Sequence, residues 1–213
     1  MSSQLLCLFL KNPNKEQAKS RLAKTIGKEK ANKIYIQMVD YLISLAKQIK
    51  EIDIKFYLSG PSKNLPWDIK TIPQVGDNLG QRMSNMFSNE LKTYKKVSLI
   101  GTDCIYETTK DLLRSFESLE KSDFILQGAN DGGYTLIGMK NYYPKAFIGM
   151  PYSTNRLLKE TKKYLLNANI SCASLPIRFD IDYEEDLLLW LESSKNDNRV
   201  AFIRSKILDI LRN

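Results

Sequence analysis

The feature that most constrains this chain is an alternation: a short β-rich run, a turn, then a longer segment with helical periodicity, repeated along the sequence. Strands separated by helical crossovers pair in parallel and need helices on both faces of the sheet. Residues 5–10 read as the first strand. Residues 28–50 set Ile34, Met38, Leu42, Ala46 and Ile49 at three- and four-residue spacings, which predicts a long amphipathic helix. Strands are expected at 53–58, closed by Ser59, Gly60 and Pro61, and at 69–72, 97–100, 124–127, 134–139 and 171–175. Helices are expected at 80–94, 107–119, 153–168 and from Glu184. The turn at 130–133 sets 134–139 close enough to 124–127 for a hairpin. The expected fold is α/β: a single Rossmann-like three-layer domain with a mostly parallel mixed sheet over residues 1–192. Residues 193–213 read as a linker, SSKNDN, and an amphipathic helix packing on that domain through Ile203, Ile207, Ile210 and Leu211.

Composition narrows the chemistry. A length of 213 residues with 43% hydrophobic content suits one large core better than two small ones. The N-terminal apolar run has no basic region before it and no small-residue cleavage site after it, so it reads as a strand and not a signal peptide. No apolar stretch is long enough to cross a bilayer. The three cysteines, Cys7, Cys104 and Cys172, sit singly beside apolar residues, as reduced thiols in a core would, and a cytoplasmic setting is expected. There is no histidine, which excludes a histidine triad, an imidazole shuttle or a histidine-ligated metal. Acid–base and metal chemistry falls to carboxylates. The formal charge of +8 suits an anionic partner, but much of it is lysine scattered along helical stretches, which reads as solvated outer faces in preference to a nucleic-acid groove.

Ligands of open α/β sheets bind beyond the carboxyl ends of strands, so the loops after strands are the candidates. The first, KNPNKEQAKSRL, gathers Lys11, Lys15, Lys19 and Arg21 without the glycines of a phosphate-cradling loop; it is either a side-chain phosphate site or a solvated basic loop. The second, QVGDNLGQRM, has Gly76 and Gly80 for close backbone approach and Arg82 for a phosphate, or is a helix start capped by Asp77 or Asn78. In GTDC, Asp103 follows the apolar run VSLI and is either a hard ligand for Mg²⁺ or Mn²⁺ or a helix cap. In GANDGGYTLIG, Asp131 precedes Gly132 and Gly133 and reads first as a tight turn. In FDIDYEEDL, the helix dipole accounts for Glu184, Glu185 and Asp186. Asp180 and Asp182 alternate on an extended segment and repel unless a cation lies near.

In order, these five segments resemble a bacterial family of nucleotide-diphospho-sugar transferase-like proteins with the glycosyltransferase A-type fold, often labelled glycosyltransferases and sometimes linked to arsenosugar biosynthesis. Lys11, Pro13, Lys19, Arg21 and Leu22 fit its first loop, and Gln74, Gly76, Asp77, Leu79, Gly80, Arg82 and Met83 its second. Gly101 and Asp103 fit its strand-end aspartate. Asp131, Gly132, Gly133, Tyr134, Leu136, Ile137 and Gly138 fit its most specific motif, and Asp180, Asp182, Asp186 and Leu187 its last. The chain departs from the pattern at Lys15-Glu16 for Pro-Gly, at Ile105 for a proline, and at Tyr152 for the tryptophan before Ser153.

The resemblance implies that Asp103 and Asp182 bind a divalent cation, Mg²⁺ or Mn²⁺, with Asp180 as the alternative second ligand. It implies that Lys11, Lys19 and Arg21 neutralise a departing diphosphate and that Asp131 orients or deprotonates an acceptor hydroxyl. Gly76, Gly80, Arg82, Gly132, Gly133, Tyr134 and Ser153 then contact substrate. The expected partners are a nucleotide sugar or a nucleoside triphosphate and a small acceptor, with no membrane and no nucleic acid. Glycosyl transfer is the first expectation. AKSRL and DIDYEEDL are also similar to phospholactate guanylyltransferases, which would make the chain a nucleotidyltransferase, though the Gly-rich triphosphate loop is missing. A non-catalytic nucleotide-binding protein is the third reading, opposed by three acids that would repel phosphate without a metal.

Overall fold

The computed structural model describes residues 2–15, 18–106 and 108–212. Seven strands form one sheet: β1 (Gln4–Lys11), β2 (Asp53–Ser59), β3 (Thr71–Pro73), β4 (Lys96–Ile100), β5 (Phe124–Ala129), β6 (Tyr134–Met139) and β7 (Cys172–Arg178). The helices are α1 (Ala23–Ile26), α2 (Lys28–Lys47), α3 (Leu79–Glu90), α4 (Thr109–Lys121), α5 (Leu157–Asn167), α6 (Glu184–Ser193) and α7 (Ala201–Arg212). Strand order is β3-β2-β1-β4-β6-β5-β7. Among the described residues only β6 runs antiparallel to its neighbours, β4 and β5, and the other pairings are parallel. The fold is the expected α/β domain with a mostly parallel mixed sheet.

Side-chain alternation on β1 divides the core. Leu6, Leu8 and Leu10 pack with Val39, Leu42 and Ala46 of α2 and with Leu112 and Phe116 of α4. Leu5 and Cys7 join Met83 and Phe87 of α3 and Leu165 of α5 on the opposite face. A third cluster lies beside the first layer, where Ile203 and Ile207 of α7 meet Ile34 and Met38 of α2, Leu187 of α6 and the loop residue Ile181. Cys7 and Cys104 are buried and free, and Cys172 is half-buried and free.

Element ends differ from the sequence expectation where local bonding overrides periodicity. α3 stops at Glu90, not Tyr94, because residues 91–94 close turns back onto Phe87 and Glu90 and the Tyr94 hydroxyl donates to Asp53 Oδ2 at 2.9 Å. Asn78, not Asp77, caps α3, accepting the Gln81 N–H at 3.0 Å. α4 opens at Thr109 on a Thr108–Asp111 capping box, and its expected first residue, Glu107, lies outside the described residues, as does Glu16 of the first loop. α5 begins at Leu157, since Ser153 has φ 61 and cannot sit in a right-handed helix. β3 is shifted to Thr71–Pro73, and β7 runs on to Arg178 beside β5, across a register shift at Gln127–Ala129. Asp180 and Asp182 lie beyond β7, in the segment that leads into α6. α1 and a 3₁₀ turn at Pro144–Ala146 carried no signal in the periodicity.

Candidate functional site

Six strands run the same way, so their carboxyl ends share one edge of the sheet, and strand order reverses between β1 and β4. That reversal opens a crevice where α/β sheets take ligands. β1 ends there at Lys11, whose N–H donates to the buried Tyr35 hydroxyl at 2.8 Å. β4 leads into Gly101, Thr102 and Asp103, and the Gly101 N–H is held by the Thr135 carbonyl at 3.1 Å.

The loop after β1 is folded over this crevice by side chains, not glycines. Asn12 is fully buried; it donates to the Pro61 carbonyl at 2.6 Å and accepts the Asn14 N–H at 2.9 Å. Lys19 follows with φ 53, a left-handed conformation that few lysines adopt. Its side chain is 1% exposed, and its ammonium pairs with Asp103 Oδ1 and lies 3.8 Å from Asp182 Oδ1. Arg21 Nη1 donates to Asp182 Oδ2 at 3.1 Å, with its guanidinium 5.4 Å over the Tyr183 ring. The Ile181 N–H donates to the Asp103 carbonyl at 2.8 Å, which clamps the loop after β7 against the end of β4. Two acids far apart in sequence thus share one lysine.

The electrostatics record a surplus of negative charge. The protein packed around Asp103 sheds water and pushes its carboxyl up although the side chain is half exposed, but the Lys19 charge and hydrogen bond, helped by Lys11, hold it below its ordinary value. Burial raises Asp182; Asp103 and Asp131 add to this, while Lys19 and Arg21 oppose it. Asp180 is pushed up to about 6 by burial and by Asp131, Asp182 and Asp103. Lys19 and Arg21 do not offset all four acids.

Asp131 sits in the β5–β6 turn, where its Oδ1 accepts the Gly133 N–H at 2.8 Å. Gly132, at φ 85, gives its carbonyl to the Leu158 N–H at 2.9 Å, fastening the turn to α5. The tight turn read from the sequence is there, and the charge of its aspartate acts on Asp180 and Asp182. Ser153 is exposed in the loop before α5.

Other candidates are engaged elsewhere. Arg82 donates through Nε to the Gly76 carbonyl and through Nη1 to Ser59 Oγ, both at 3.0 Å, so it braces the loop after β3. A side chain on Gly80 would lie 2.9 Å from both Tyr152 Cζ and the Phe147 carbonyl; the close approach expected there of a ligand is made by the Tyr152 ring. Tyr134 packs in the second core layer beside Tyr152, and burial pushes its hydroxyl up. Sequence reasoning missed Asn12, Tyr35, Ser59 and Tyr183 as supports. Asn12 and Ser59 left a signal, as polar residues at strand ends.

The donor set fits a divalent cation. Carboxylate oxygens are hard ligands, and Asp103 is 53% exposed beside Asp182. Among the described residues no three metal-binding side chains form a ready-made cage. Among the same residues no helix is long and apolar enough to cross a membrane.

The model of a family described as "Uncharacterized protein conserved in bacteria (DUF2064)" matches residues 44–154. No curated protein matches the chain in sequence. The fold is similar to that of a candidate nucleotide-diphospho-sugar transferase from Desulfovibrio desulfuricans G20, with a TM-score of 0.91 and 22% identity over 100% of this chain and 98% of that one. It is also similar to the inositol-1-phosphate CTP transferase of T. maritima, with a TM-score of 0.57 and 12% identity over 97% and 96% of the two chains. A cytidylyltransferase from Leptospira borgpetersenii gives a TM-score of 0.58 and 11% identity over 100% and 94%.

Proposed function

The chain belongs to the DUF2064 family, and we propose that it is a metal-assisted transferase that moves a sugar from a nucleotide-diphospho-sugar to a small acceptor. The observation that carries this reading is the Asp103–Lys19–Asp182 cluster at the β1/β4 crevice. Asp103 and Asp182 would hold Mg²⁺ or Mn²⁺, which when bound supplies positive charge for the phosphate oxygens of the donor. Lys11, Lys19 and Arg21 bring side-chain charge to the departing diphosphate, which the loop's lack of glycine makes necessary. Asp131, fixed by Gly133, takes the proton of the acceptor hydroxyl, and Gly132, Gly133 and Ser153 line its approach. Arg82, Gly76, Gly80 and Tyr134 shape the wall.

The similar solved structures favour a second reading, nucleotidyl transfer, because cytidylyltransferases are among them. The two differ in the bond broken. A sugar transferase releases a nucleoside diphosphate; a nucleotidyltransferase releases pyrophosphate. A panel of nucleotide sugars and nucleoside triphosphates with Mg²⁺ or Mn²⁺ separates them by product. Asp103→Ala is expected to lower turnover by about a hundredfold or more with folding intact. Full activity in that variant, or in wild type under chelator, would overturn the metal-assisted reading.

A further inference from the structure

Lys19 has a geometry that diphosphate binding alone does not explain. A lysine meant only to meet a diphosphate would keep its ammonium in solvent; this one is 1% exposed and seated between two acids. Its backbone holds a left-handed φ of 53, a conformation that persists only when the surroundings enforce it. Arg21, two residues on, reaches the same Asp182 but stays 45% exposed, so burial belongs to Lys19 and not to the loop as a whole.

We propose that the Lys19 ammonium is a built-in counter-ion that occupies the place between Asp103 and Asp182 and exchanges with the divalent cation. The inference rests on the metal-assisted reading above. A divalent ion held by both acids would sit within a few ångströms of the ammonium, and like charges at such a distance in a half-buried site repel strongly. Both cannot stay. A lysine suits the exchange because its charge is compact and its four-carbon stem is flexible, whereas an arginine fork would lock onto the acids. The expelled ammonium leaves the acids for the open crevice, where the Lys11 charge already acts on Asp103. In the resting protein Lys19 keeps the acids from repelling each other, and the cation is admitted only against that competition.

Two measurements test this. Mn²⁺ titrations followed by electron paramagnetic resonance compare wild type with Lys19→Met, whose folding is checked by circular dichroism. Lysine acylation of wild type, read by mass spectrometry with and without Mn²⁺, needs no variant. The exchange predicts that Lys19→Met binds Mn²⁺ about tenfold or more tightly than wild type. It also predicts that Lys19 is protected from acylation without Mn²⁺ and labelled with it, approaching the exposed Lys33. Equal, weaker or absent Mn²⁺ binding by a folded Lys19→Met overturns the proposal, because removing a competitor must open the site. So does Lys19 remaining protected while Mn²⁺ is bound. While wild type binds Mn²⁺, neither result touches the metal-assisted reading, which stands or falls on that binding and on the chelator and Asp103→Ala assays.

Discussion

A glycine-to-alanine series separates two costs that the β5–β6 turn combines. Gly101 has no atom within 4 Å of an added Cβ, and Gly101→Ala is expected to change stability by no more than about 0.5 kcal/mol, through reduced freedom of the unfolded chain. Gly27 also has open space but holds φ 86 and ψ 153, a region that L side chains avoid, so Gly27→Ala is expected to cost about 1–2 kcal/mol. Gly132 has φ 85 and, in addition, an added Cβ would lie within 2.7 Å of the Asn155 backbone carbon atoms. Backbone cannot rotate aside as a side chain can, so overpacking adds a further ~1–3 kcal/mol. Gly132→Ala is therefore expected to lose about 3 kcal/mol in all. Equilibrium urea unfolding followed by circular dichroism reads each difference from the midpoint, provided the slope is unchanged. The Gly132→Ala penalty also moves Asp131, so turnover should fall in that variant and hold in Gly27→Ala. A Gly132→Ala protein as stable as Gly27→Ala would refute the clash and with it the fastening of the turn to α5.

Asp180, raised to about 6, makes the folded state bind more protons than the unfolded chain between about pH 4 and 6, so its contribution to stability is present below that window and is lost as pH rises through it. Denaturation midpoints measured from pH 4 to 7 should show this slope in wild type and lose it in Asp180→Asn. Mn²⁺ binding should strengthen as pH rises through about 6, since deprotonated Asp180 adds negative charge beside the pair. Arg178 Nη2 lies 3.1 Å from Asp111 Oδ1 with both side chains largely buried; Arg178→Met removes that charged bond but leaves Asp111 its Thr108 and Arg114 partners, and is expected to cost about 1.5–3 kcal/mol in thermal or urea unfolding. An unchanged midpoint would count against that pairing.

Much of the fold was legible because periodicity reports burial. The strand expected at 134–139 appears at those residues, and the long helix starts where its spacing begins, at Lys28. Ends were less legible: the Thr108–Asp111 box and the left-handed Ser153 depend on single bonds and single dihedrals that leave no periodic trace. At the site, strand-end position brought out Asp103, and the repulsion of Asp180 and Asp182 pointed to a nearby cation. That the cation is Lys19, from a distant loop, was not legible, because charge clustering tells which residues are basic and not which acid each one faces. Gly80 shows the same limit. A glycine announces that something comes close, but only packing shows that it is the ring of Tyr152.

The hydrogen bond from the Ile181 amide to the Asp103 carbonyl joins two segments that are made far apart in time. The chain emerges from its amino end, so Lys19 and Asp103 can meet once β1 and β4 have paired, before Asp180 and Asp182 exist. The second pair of acids then docks onto a crevice that already holds a positive charge, and the four carboxylates never face one another unattended. The order comes from synthesis and not from sequence separation, since domains form amino end first as the chain is made. Hydrogen exchange pulsed during synthesis should accordingly find the Ile181 amide among the last to gain protection.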